Sequence, residues 1–190
     1  MNIDQCRQEL KERVPGILIM VPEHSLLSGP ANEIREMVLA YESDGWRFES
    51  AGDDINALAS YAYALGWLDA GCCIGLIKTE DSIRRWFLPG SSSIDSGDER
   101  LMEKATRYQE LLGMACDAVE PAPDKGSLLL NGSDRILMVG RTFLLFGKIA
   151  LKEQGVEIAL LCFSYGFGWL DAGIRAGLLA ARKYRDIFTI

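Results

Sequence analysis

Histidine is nearly absent from the 190 residues. His24 stands alone, with no Asp or Cys arrangement around it that would build a catalytic triad, and it reads as a surface-loop residue. There is no H-E-x-x-H, no Cys/His spacing for zinc, no E-x-x-H pair of a di-iron bundle, no G-x-x-x-x-G-K-[ST] and no G-x-G-x-x-G after a strand. No catalytic residue, metal ligand set or cofactor is therefore assigned, although a metal held by carboxylates alone stays open. Basic charge is also short. Lys and Arg number 20 against 27 Asp and Glu, a net charge of −7, which disfavours nucleic acid or an anionic membrane as partner. The five cysteines are an odd number without a C-x-x-C, which implies reduced thiols in a cytoplasmic protein. The first 14 residues contain no apolar stretch of the kind a signal peptide needs. Strict apolar/polar alternation is missing as well, so no segment reads as a strand.

What is present is a duplication. Gly66-Trp67-Leu68-Asp69-Ala70-Gly71 returns, letter for letter, 102 positions later at 168–173. The match extends over 55–77 and 157–179, and reaches back through Tyr41 and Phe143, Ile34 and Ile136, and the Ser-Leu-Leu triplets at 25–27 and 127–129. A period of roughly 100 residues is far longer than that of a solenoid repeat and indicates a duplicated domain. The first copy is assigned to 1–88, a linker rich in Ser and Gly to 89–97, and the second copy to 98–190.

Helical spacing runs through each copy. In the first, helices are predicted over 3–14, from Gly29-Pro30 to about 51, and from an Asp53 or Asp54 cap to about Lys78, with a continuation to Phe87 open. In the second, the middle helix is capped by Asn131 or Ser133, and the last runs from about 156 to 185. Three helices joined by short turns favour an up-down-up bundle, so the fold class is all-α: two tandem three-helix bundles packed as a pseudo-two-fold pair. Two segments, 55–77 and 156–181, are apolar enough to resemble membrane spans. Each carries an Asp near its middle, however, and helices buried in protein are expected instead.

The third helix of each copy carries the candidate site. At 100° per residue, Asp69 falls in the centre of an apolar band with Ile55, Leu58, Leu65 and Leu76. A buried carboxylate is costly unless bonded. Asp69 and Asp171 are therefore expected to be buried, and hydrogen-bonded within their own copies to backbone N–H groups, a Tyr hydroxyl or a Trp N–H. The alternative is a carboxylate at the floor of a pocket, with Tyr63, Trp67, Tyr165 and Trp169 as further ligand-binding candidates. On the opposite side, Ala57, Ala64, Gly71 and Gly75, and their equivalents Ala159, Gly166, Gly173 and Gly177, suggest that the two third helices pack together through small residues. On the second copy's middle helix, Leu137, Met138, Leu144, Leu145, Phe146 and Ile149 stand where the first copy has Arg35, Glu36, Glu42, Ser43, Asp44 and Arg47. A face that apolar is expected to be covered by the first copy or by another protomer.

At Gly52-Asp53, Ala57, Tyr63-Ala64 and Gly66-Trp67-Leu68-Asp69-Ala70-Gly71, with Tyr41, Asp44 and Phe48 on the preceding helix, each copy in turn resembles the archaeal family called domain of unknown function 357. The resemblance implies a left-handed three-helix bundle and an archaeal cytoplasmic setting; it implies no activity. The second copy departs from the pattern at Phe146, Ala150 and Gln154-Gly155. The functional expectation is a non-enzymatic interaction or scaffold module whose copies form an intramolecular pseudo-dimer, with a protein partner or self-association. A small-ligand or metal-binding protein, or an enzyme, built on Asp69 and Asp171 is the alternative.

Overall fold

The computed structural model describes residues 2–79, 94, 98–153 and 155–189. The chain is all-α and its two copies follow one plan. In the first, α1 (Ile3–Arg13) leads to α2 (Ser28–Ser50) and α3 (Asp54–Cys73). In the second, α4 (Glu99–Ala118) leads to α5 (Leu130–Glu153) and α6 (Val156–Arg175). Local chemistry sets the starts. Asn2 and Gln5 form a capping box on α1, and the Asp53 side chain accepts from Asn56 N at the start of α3. The caps expected on α5 are not used, because that helix already begins at Leu130. Buried Ser133 instead donates to the Leu178 carbonyl at 2.7 Å.

The third helices are shorter than their apolar runs suggest. Gly75 (φ +78°) and Gly177 (φ +70°) adopt the left-handed conformation just past α3 and α6, and the next N–H bonds back to the carbonyl of Gly71 and of Gly173. The chain then turns into strands the sequence did not announce. β1 (Leu18–Ile19) pairs antiparallel with β2 (Ile77–Lys78), and β3 (Val119–Pro121) with β4 (Leu179–Ala181). Ladders of two or three residues are too short for alternation to register. They tie the end of each copy's first helix to the end of its third. The linker at 89–97, Ile94 apart, and the continuation of α3 to Phe87 lie outside the described residues.

At the centre of the molecule α3 and α6 cross antiparallel, and they are nearly wholly buried. α2 packs along α3 and α5 along α6; α1 lies on α3 and α4 on α6. The two third helices do meet through glycine, but not through the strip anticipated. The closest approach is at Gly66 and Gly168: a Cβ on Gly168 would stand 2.6 Å from the Tyr63 carbonyl and 3.2 Å from the Gly66 Cα. Gly71 and Gly173 face their own copies instead, where a Cβ would stand 2.8 Å from Ile34 and from Ile136, and Gly75 and Gly177 terminate their helices. A helix that is small or apolar all round offers no periodicity by which to tell its two buried faces apart.

Candidate functional site

The crossing of α3 and α6 brings the six candidate residues into two related clusters. Because the helices run antiparallel, position 63 of one lies beside 171 of the other, and 69 beside 165. Asp69, fully buried, accepts from Tyr165 Oη at 2.8 Å. Asp171, also buried, accepts from Tyr63 Oη. The expectation that each Asp is satisfied within its own copy is therefore corrected. Each takes its phenol from the other copy, because the face carrying Asp69 and Tyr63 is the face on which the copies meet. Tyr63 and Tyr165 also pack edge-on to Trp67 and Trp169, with ring centroids 6.2 Å apart in both pairs. The tryptophans do not bond the aspartates. Both indole N–H groups are buried, with no acceptor among the described residues.

The second partner of each carboxylate differs, and here the symmetry breaks. Asp69 Oδ1 accepts from Arg13 Nη2 at 2.6 Å, in a buried ion pair between α1 and α3, with Glu9 3.6 Å from the same guanidinium. Burial works against the Arg13 cation, but the Asp69 charge overrides it and holds the guanidinium's pKa above its ordinary value. With the one-residue gap between copies, Arg13 falls on Met114, so the second copy has no such cation. Asp171 instead accepts from Thr189, from the backbone N–H to Oδ1 and from Oγ1 to Oδ2, both at 3.2 Å. Arg175 Nε holds the Thr189 carbonyl at 2.9 Å, and its Nη1 pairs with Glu33 at 3.0 Å. Burial raises the Asp171 pKa to about 6, although the bonds from Tyr63 and Thr189 pull it back. Burial and the Asp171 charge together drive the Tyr63 phenol well above its ordinary value.

Arg13 and Thr189 are functional-looking residues that the helical pattern does not reveal. Arg13 lies 56 positions before Asp69 and Thr189 lies past a chain reversal. The one signal in the sequence is the Arg itself, standing at the end of α1 with no counterpart in the repeat. Beside Asp171 a pocket of about 190 Å3 opens, lined by Tyr41, Ser60, Tyr63, Tyr108, Phe167 and Thr189. Asp171 is not on its wall; Tyr63 and Thr189 stand between. Among the described residues no group of three His, Cys, Asp or Glu is placed to hold a metal ion. The five cysteines are unpaired, and burial pushes Cys116 up to about 11 and Cys162 up to about 12, far from a thiolate at neutral pH.

The family described as protein of unknown function (DUF357) matches residues 7–77 and again 107–179, each match running from the first helix to the strand after the third. The chain belongs to this family. It contains two copies of the domain, and the hexapeptide with its buried Asp lies inside both matches. No curated protein and no solved structure matches the chain. The family is uncharacterised, so membership accounts for the repeat and brings no activity with it. Among the described residues no helix is long and apolar enough to cross a membrane.

Proposed function

We propose that this protein is a non-enzymatic interaction module, an intramolecular pseudo-dimer of the family's domain that presents the outer face of α5 for docking. The observation that carries this reading is the state of that face. Leu137 is buried and Leu144 half-buried, but Met138 is 60% exposed, Leu145 56%, Phe146 39% and Ile149 36%. The described residues of the first copy do not cover it, as one of the two expectations had it. An exposed apolar stripe marks an interaction surface. The shared plan of the two clusters fits the same reading: Asp69 and Asp171 hold the copies together, with every carboxylate oxygen accepting a hydrogen bond. Five unpaired thiols are compatible with the archaeal cytoplasm that the family resemblance implies.

A second reading rests on Asp171, a carboxylate with no cation in contact among the described residues, next to the tyrosine-lined pocket. There the protein would bind a small ligand through Tyr41, Tyr63 and Thr189, with Asp171 accepting or releasing a proton as it binds. Native mass spectrometry of the purified protein separates the two. Masses at the bare chain or its multiples support the interaction module. A small molecule retained by the parent and lost in Asp171→Asn overturns it in favour of the ligand reading.

A further inference from the structure

We propose that the α5 face is filled by the α2 face of a second copy of this chain, in a head-to-tail contact; this rests on the reading of α5 as a docking surface. Met138, Leu145 and Ile149 lie on one side of α5, and Arg141, Lys148 and Lys152 are exposed along their margin. Leu137, Met138, Thr142 and Leu145, with Asp134 and Arg141, line a shallow depression at the middle of the face. Such a surface takes an apolar projection with acidic flanks.

α2 offers one. Trp46 is 63% exposed and Leu39, seven residues earlier and so on the same side of the helix, is 41% exposed. Along α2, Glu33, Glu36, Glu42, Asp44 and Glu49 stand against Arg35 and Arg47, and the exposed Arg47 is paired with Asp44. An exposed Trp is the residue type that most often anchors a protein interface, and a guanidinium such as Arg141 stacks well on an indole. The charge of the two halves points the same way. Residues 1–88 carry 14 Asp and Glu against 8 Lys and Arg, whereas 98–190 carry 12 of each. Pairing the acidic half of one molecule with the neutral half of the next, at its basic-rimmed face, avoids setting two acidic halves against each other. A symmetric pairing of two α5 faces would instead set basic rims against each other. α2 and α5 occupy equivalent outer positions in the two copies, so a contact between them uses different surfaces on each molecule. Such heterologous contacts propagate, as a ring or an open chain.

The experiment is sedimentation velocity on the full chain over a range of concentrations, at low and at high salt. The parent should form species of two chains and more as concentration rises, and lose them at high salt. Leu145→Glu and Trp46→Glu should each be monomeric, because each removes one half of the contact. Mixed in equal amounts they should form a dimer and nothing larger, since each supplies the half the other lacks. Both side chains are exposed, so circular dichroism and melting temperature should match the parent; a variant that fails this control is replaced by Met138→Glu or Leu39→Glu. A parent that stays monomeric at every concentration overturns the self-pairing while leaving α5 open to a different protein. A Trp46→Glu variant that still dimerises shows symmetric α5 pairing and also overturns the proposal. A retained small molecule in native mass spectrometry would undo the underlying reading without bearing on either result.

Discussion

Asp69 and Asp171 occupy the same letter of the same hexapeptide, yet their neighbours give them different tasks. Asp69 neutralises a buried guanidinium. Removing it in Asp69→Ala leaves Arg13 buried with Glu9, at 3.6 Å, as its counter-charge. Loss of one partner from a buried pair typically costs about 3–5 kcal/mol, and Glu9 should keep this one near the lower end. Urea denaturation at neutral pH measures it, and a midpoint equal to the parent's would refute the ion pair. Among the described residues no cation touches Asp171, and its pKa lies near 6 in the folded protein against an ordinary value of 3.8. A carboxyl whose pKa is raised by folding binds more protons in the native state. Its contribution is therefore fully present below about pH 4 and is lost as the pH rises through 6, by up to about 3 kcal/mol at 1.36 kcal/mol per unit. The parent should thus gain stability over Asp171→Asn as the pH falls from 7 to 4. A difference between the two that is flat with pH would remove the claim.

At the scale of elements, the crossing of α3 and α6 depends on two missing side chains. Gly66 and Gly168 sit mid-helix, where glycine is worth about 1 kcal/mol less than alanine. At an exposed helix position Gly→Ala would therefore stabilise. Here a Cβ on Gly168 meets the Tyr63 carbonyl at 2.6 Å, and one on Gly66 meets the Gly168 Cα at 3.1 Å. Both obstacles are backbone and cannot rotate away. Gly66→Ala and Gly168→Ala should each lower stability by about 1–3 kcal/mol, read as a drop in melting temperature. Gly71→Leu and Gly173→Leu should also destabilise, but through their own copies, since Ile34 and Ile136 fill those sites. Trp fluorescence can tell the two effects apart: the crossing variants should perturb Trp67 and Trp169 most directly, because those residues adjoin the tyrosines at the crossing.

At the scale of the whole molecule, the two copies share one core. α3 packs on α6 as extensively as either packs on the middle helix of its own copy, and each buried Asp takes a phenol from the other copy. A core shared in this way should unfold as one unit. Urea denaturation followed by helical circular dichroism and by Trp fluorescence should therefore give a single, coincident transition. Two separated transitions would mean that each copy is stable alone. Arg100 with Asp53, and Lys104 with Asn56, add contacts from α4 to the start of α3; they are exposed or half-buried and should contribute little.

The repeat, the number of helices and the burial of the two aspartates were all legible from the residues. They follow from local and periodic properties: a fixed offset, a 3.6-residue pattern, caps, and the cost of a carboxylate on an apolar stripe. The all-α class and the approximate pairing of the copies came from the same source. Tertiary structure alone decided which glycines lie at the crossing, that the phenols are exchanged between copies, and that Arg13 answers Asp69 while Thr189 answers Asp171. Those contacts join positions from 18 to 108 residues apart in the chain. On a helix apolar around its whole circumference, the sequence says that every side is buried but not against what. Only the packing of the helices assigns each side its neighbour, and among the described residues the same packing left one side of α5 without one.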